Sequence, residues 1–222
     1  MDMGLKDKVV LITGGGGGIA RGIERAFATE GAKFILTDLF PGGLEAAKEE
    51  LERDFGSEVF TILANGSVEE EVRAASKRAR ALRRAHRRPD QQRAGVASGL
   101  TLVQHSEEDF DLAVRSGLYA TFFYMKHAYL PEGDGGIRHQ LRFRRGHRRQ
   151  SRTELLRCGE RGHPGHEPRG RIGVGPDNIN VNIVCPIVMT KALEEWRERE
   201  PEMYEKNVKA IPLGRFGDAR RT

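Results

Sequence analysis

Cysteine is scarce in this chain: Cys158 and Cys185 are the only two among 222 residues, too few for a disulfide framework. Long apolar runs are missing too. No stretch of 18 apolar residues occurs, and the N-terminal residues do not join a basic segment to an apolar one. A soluble, unexported, cytoplasmic protein is therefore expected, with no membrane partner. Lysine is absent from residues 138–174, where eleven Arg and four His face three Glu. Basic residues are absent from 14–18.

The net charge of +5 would point to nucleic acid or a membrane surface if it were spread over the chain. It is concentrated instead. Residues 84–93 carry +3 and residues 138–174 carry +8, leaving the remainder at −6. A length of 222 residues suits one α/β domain with a substantial core, and two domains are not expected.

The informative stretch is Val9-Val10-Leu11-Ile12-Thr13 followed by five glycines and Ile19-Ala20. A continuous apolar run is how a parallel strand covered on both faces reads. A helix over 19–30 follows, with Ile19, Ile23, Ala26 and Phe27 toward the sheet and Arg21, Glu24 and Arg25 in water. Gly31 supplies its stop. Glycines between strand and helix let backbone N–H groups approach a pyrophosphate, whose charge the helix dipole favours. A second apolar strand, residues 33–37, ends at Asp38, 24 residues after Gly14 and about where a dinucleotide fold carries its ribose-binding acid. The plainer alternative is that Asp38 opens the loop to Gly43.

Thr13-Gly14-x-x-x-Gly18-Ile19-Ala20 resembles the T-G-x-x-x-G-[IL]-G signature of the short-chain dehydrogenase/reductases, with Ala20 in place of the last glycine. The resemblance implies a Rossmann-like doubly wound parallel sheet with helices on both faces. Gly14, Gly18 and Ile19 would then hold the cofactor. An acid at Asp38 implies NAD rather than NADP, since a carboxylate accepts from ribose hydroxyls and repels a 2′-phosphate.

Further along, a helix over 42–55, a strand over 59–63 and a helix over 68–81 continue the alternation of a right-handed parallel sheet. By resemblance, Asn65 with Gly66 after the third strand would contact the adenine; an ordinary Asn-Gly turn is the alternative. A long helical pattern spans 107–128, with Gly117 where the family often has a structural asparagine. Residues 179–186, Ile-Asn-Val-Asn-Ile-Val-Cys-Pro, read as a strand with its exit turn and resemble the family's I-x-V-N-x-V-x-P-G, with Ile187 for glycine. Thr190 would contact the nicotinamide amide, or cap the helix that begins at Lys191. Residues 193–208 fit a substrate lid by resemblance, or an ordinary surface helix.

The two basic windows interrupt this pattern. Residues 84–93, Arg-Ala-His-Arg-Arg-Pro-Asp-Gln-Gln-Arg, stand where a central buried strand is due, yet burying one unpaired charge costs several kcal/mol and Pro89 removes a ladder donor. Displacing the codon register by one base permits G-R-[IT]-D-V-L-I-N-N-A across this window. Gly95 and Val96 then continue in register, which puts Gly95 among the cofactor contacts. The same displacement from Ile137 permits S-V-I-N-F-A-S-G and then N-C-Y-A-A-A-K. Serine falls over Phe143, tyrosine over Leu156 and lysine over Glu160, at the family's catalytic spacings. Degeneracy permits these readings without forcing them: Leu156 also allows Phe, Ser or Cys. The opposite displacement re-reads residues 219–222 as A-E-E-D.

The hypothesis is that the sequence contains frame slips and stops short of the family's final helix and strand. Clean in-frame codons across both windows on resequencing the coding DNA would remove it.

The resemblance implies hydride transfer between NAD and an alcohol or ketone, with tyrosine as general acid/base, lysine lowering its pKa and serine bonding the substrate oxygen. None of the three stands at its matching position here, so no catalytic residue is assigned. The chain as written is expected to be impaired, to fold poorly and to bind NAD weakly. A homo-oligomer is implied for the family but doubtful for this chain. Two alternatives remain. A basic nucleic-acid-binding module is motivated by the arginines but lacks aromatic interleaving. A non-catalytic nucleotide-binding protein would carry the windows as solvated insertions. Cys158, His163 and His166 match no common zinc spacing, and no metal is expected.

Overall fold

The structure is a computed structural model that describes residues 3–85, 105–128, 138–140, 179–181 and 188–218. Its first half is β1 (Val9–Thr13), α1 (Ile19–Thr29), β2 (Lys33–Asp38), α2 (Pro41–Phe55), β3 (Val59–Leu63) and α3 (Glu69–Ala85). The three strands are parallel, with β2 in the centre. Val9 pairs with Lys33, and Phe34 with Val59.

Alternation along the strands divides the core. Val10, Ile12, Phe34 and Leu36 point to one face and pack with Ala20 and Ala28 of α1 and Leu44, Ala47 and Leu51 of α2. Val9, Leu11, Ile35 and Ile62 point to the other and meet Ala75 and Ala79 of α3. Each fully buried Leu, Ile or Phe contributes about 1.5–3 kcal/mol of transfer free energy, so both faces hold the sheet. Helices on two sides of a parallel sheet are the doubly wound arrangement that the resemblance implied.

The helix predicted over 107–128 is seen as α4 (Glu107–Val114), a π-helical turn (Arg115–Tyr119) and α5 (Ala120–Ala128). Ser106 and Asp109 form a reciprocal capping box at its start. The wider turn falls where Gly117 lowers helix propensity, and where hydroxyls bond to helix carbonyls: Ser116 donates to Leu112 (2.6 Å) and Thr121 to Gly117 (2.9 Å). α5 packs on α3 through Val72, Phe123 and Tyr124, and Lys126 and His127 both reach Glu69.

β4 (Arg138–Gln140) and β5 (Ile179–Val181) pair in parallel, as do β6 (Val188–Met189) and β7 (Gly217–Asp218). Between the last two lie α6 (Lys191–Arg199) and α7 (Pro201–Lys209). The single segment expected over 193–208 is thus two helices, because Pro201 cannot continue the first but suits the opening turn of the second. In the first basic window, Arg84 and Ala85 end α3; the rest of that window, the C-terminal residues 219–222 and all of the second window beyond residue 140 lie outside the described residues. Among the described residues no helix is long and apolar enough to cross a membrane, and no group of three His, Cys, Asp or Glu could hold a metal ion.

Candidate dinucleotide site

The turn from β1 to α1 needs glycine at both ends. Gly14 (φ +68°) and Gly18 (φ +60°) occupy backbone conformations that side chains disfavour. Gly15 lies against β2: its N–H donates to the Thr37 carbonyl (3.1 Å), and a methyl on it would stand 3.0 Å from the Leu36 Cβ. Gly16 is gripped on two sides, donating to Asp38 Oδ2 at 2.9 Å and touching Gly43 at the start of α2. A methyl on Gly17 or Gly18, in contrast, would meet nothing within 4 Å. This is the open side. Gly18 makes no side-chain capping bond, and the first turn of α1 carries no acid. The N–H groups and positive dipole end of α1 are therefore left for an anion from outside the protein.

Asp38 opens the loop to Gly43, the plainer of its two readings. Its Oδ2 takes the Gly16 N–H, while Oδ1 accepts from the Leu39 and Phe40 N–H groups at 2.7 and 3.1 Å, opening the loop to α2. A carboxylate offers about four lone-pair sites, so three bonds still leave one for a ribose hydroxyl.

Asn65 forms a side-chain turn, its Oδ1 accepting from the Ser67 N–H at 3.0 Å and from the Ser67 hydroxyl. The turn reading of Asn65 is thus realised. Next to it, Gly66 admits α5 closely: a methyl there would sit 3.2 Å from the Ala120 Cβ. From α5, Tyr124 reaches over to Thr37 of β2, hydroxyl to hydroxyl at 3.0 Å, and burial raises its pKa. Thr190 caps α6, accepting from the Leu193 N–H at 3.4 Å, which is its alternative reading. Gly14, Gly15, Gly16, Gly18, Ile19 and Asp38 are brought together around one turn. Gly95 and the positions of Phe143, Leu156 and Glu160 lie outside the described residues, as do Cys158, His163 and His166.

Two of the three residues expected in water are not: Arg21 keeps only 16% of its side chain exposed, and the Glu24 side chain has no exposed surface. Ala20, Glu24 and Ala28 form a single stripe four residues apart, and the two small neighbours bring α1 close enough to cover the residue between them. Ile23 and Phe27 flank the core, half-buried. Glu24 Oε2 is held by Arg21 Nη1 at 2.9 Å; Arg21 also reaches Glu50 of α2, which Arg25 Nε bonds at 2.5 Å. Burial raises the Glu24 pKa from 4.5 to about 7 despite Arg21, whereas the Arg25 hydrogen bond lowers that of Glu50. The alanines at 20 and 28 were the signal that this face is the deep one. Gly43 was also missed, since no local pattern announces a contact 27 residues from its partner.

The family model for short chain dehydrogenase matches residues 8–132. A 12alpha-hydroxysteroid dehydrogenase of Clostridium sp. (strain ATCC 29733 / VPI C48-50) is 38% identical over 233 residues, covering 97% of this chain and 86% of that protein. The crystal structure of Cj0485 dehydrogenase superposes with a TM-score of 0.84 at 26% identity, over 99% of this chain and 85% of that one. A short chain dehydrogenase from Burkholderia cenocepacia J2315, solved with NADP, has the same fold (TM-score 0.83, 21% identity, 97% and 87% covered).

Proposed function

The chain belongs to the short-chain dehydrogenase family of oxidoreductases, whose cofactors are nicotinamide dinucleotides, and on that premise we propose that it binds NAD in preference to NADP. The observation that carries this is the Asp38 carboxylate bonded to the Gly16 N–H at the edge of the open glycine turn. Residues 14–19 fit the pyrophosphate: the first turn of α1 carries no acid and no side-chain cap, and space stands over Gly17 and Gly18. Asp38 fits the ribose hydroxyls and would repel a 2′-phosphate, with no basic residue in the turn to offset the repulsion. Asn65 and Gly66 lie at the end of the neighbouring strand, as an adenine contact requires. Gly95 and Thr190 complete the set by resemblance.

The bound dinucleotide supplies the hydride acceptor or donor, and a secondary alcohol or its ketone is the proposed substrate class. What this chain's own residues contribute is binding and orientation. Serine, tyrosine and lysine are missing from the matching positions, where Phe143, Leu156 and Glu160 stand, so no residue is assigned the proton transfer. We therefore propose a single domain that holds NAD and turns over slowly or not at all as written. A restored codon register over the two basic windows permits the missing groups. The non-catalytic nucleotide-binding reading is favoured for the literal chain by the same contrast between a formed glycine turn and absent catalytic side chains.

Titration of the purified chain with NAD and NADP tests the proposal. NAD should bind at least about tenfold tighter, and Asp38→Ala should narrow that ratio while weakening both, since each factor of ten is about 1.4 kcal/mol. Tighter NADP binding, or no saturable binding of either, would refute it. Turnover with a secondary-alcohol panel that includes a hydroxysteroid should appear only in the register-restored chain.

A further inference from the structure

Among the described residues, Glu24 is the buried carboxyl side chain that the cofactor reading leaves without a task. Its Oε1 has no hydrogen-bond partner among the described residues and is sealed from solvent. The atom lies under the glycine turn: a Cβ built on Gly15 would be 3.3 Å from it. A negative charge at that spot stands below the backbone on which an anionic ligand would rest, and works against the α1 dipole that attracts it.

We propose that Glu24 is a positioning residue that links dinucleotide binding to a proton: the turn accepts the pyrophosphate best when this carboxyl is neutral, and binding draws a proton onto it. The inference rests on the dinucleotide reading above.

The groups around Glu24 set its balance. On α1, Arg21 holds Oε2 and Arg25 lies one turn further on; from α2, Glu50 competes for both guanidinium groups. From β2, Leu36 presents only methyl and methylene groups to the same space, while Asp38 at the strand end is bonded to Gly16. Arg21 is thus shared between two carboxylates. Burial outweighs it, and the carboxyl titrates at about 7, inside the range where dinucleotides can be handled. A phosphate charge several ångströms away disfavours the ionised form further, so by linkage the protein takes up protons as it binds.

Calorimetric titration with NAD in two buffers of different ionisation enthalpy reads this directly. At pH 7 the unsubstituted chain should take up roughly 0.4 of a proton per NAD, and its Kd should weaken about tenfold from pH 6 to pH 9. Glu24→Gln should abolish that uptake and hold Kd near its acid-limb value throughout. Equal uptake and equal slopes in both proteins would overturn the inference and leave NAD binding standing. So would a uniform loss of affinity in Glu24→Gln at every pH, the mark of a packing role. No binding by the unsubstituted chain at any pH would overturn the dinucleotide reading and this inference with it. Should Glu24→Gln fail to fold, the carboxyl ¹³C shift of Glu24 in the unsubstituted protein decides: its midpoint should lie near neutral and rise when NAD is added, and an unmoved midpoint refutes the linkage.

Discussion

Gly42 and Gly43 are neighbours in the first turn of α2 with opposite surroundings, so alanine at each separates helix propensity from contact. A methyl on Gly42 would meet nothing within 4 Å, whereas one on Gly43 would lie 2.7 Å from the Gly16 carbonyl oxygen and 2.9 Å from the Gly16 Cα. Both changes raise helix propensity and restrict the unfolded chain, together about 0.5–1 kcal/mol in favour of the folded state. At Gly43 the obstacle is backbone on both counts, and no side chain can swing aside. Overpacking of this kind costs about 1–3 kcal/mol. Gly42→Ala should therefore stabilise by up to about 1 kcal/mol and Gly43→Ala destabilise by about 1–2 kcal/mol. For a domain of this size each kcal/mol moves Tm by about 2–4 °C, so thermal and urea melts of the two variants should diverge by several degrees in opposite directions. Equal shifts would refute the close approach of α2 to the glycine turn. Loss of stability at Gly42 alone would do the same.

Other expectations concern buried groups. Glu24 retains its proton in the folded state up to about pH 7 but loses it near 4.5 when unfolded, so the folded state binds more protons between these values and stability falls as pH rises through that window. Referenced to Glu24→Gln, in which the opposite contribution of Glu50 below its ordinary range cancels, urea melts should show the unsubstituted chain losing ~3 kcal/mol from pH 4.5 to 7.5; a constant difference would contradict the burial of this carboxyl. Tyr124→Phe removes the buried bond to Thr37 and should cost about 1–2 kcal/mol. Spectrophotometric titration should find one tyrosine ionising later than the rest, absent from the variant; four equal tyrosines would argue against the contact.

The first half of the fold is legible in the sequence because its signals are local. Residues 9–12 and 34–36 are apolar without interruption, and they are buried on both faces of a parallel sheet. Gly31 and Gly56 end helices with the positive φ that glycine supplies. The turn chemistry of Asn65 follows from the same short-range rules. Glu24 is misread because amphipathicity assigns charged residues to water by type, while its burial depends on the small size of Ala20 and Ala28 and on Arg21 one turn before it. The π-helical turn is missed for a related reason: the apolar spacing over 107–128 reads as one straight helix, whereas the buried face runs through Ala113, Ala120, Phe123 and Tyr124 and leaves Phe110 and Phe122 exposed. The contact of Gly43 with Gly16 depends on how two loops meet, which no window of sequence contains.

Asp38 accepts from Gly16 and from its own following loop with the same carboxylate proposed to face the ribose. Selectivity and loop architecture thus share one set of lone pairs. An evolutionary route to a phosphorylated cofactor cannot replace this residue alone by a basic or apolar side chain, because either leaves the Gly16, Leu39 and Phe40 N–H groups seeking new acceptors. The accessible path first adds a compensating acceptor or tightens the loop between β2 and α2, and only then exchanges the acid, so the order of substitutions is constrained by hydrogen bonding rather than by the cofactor itself.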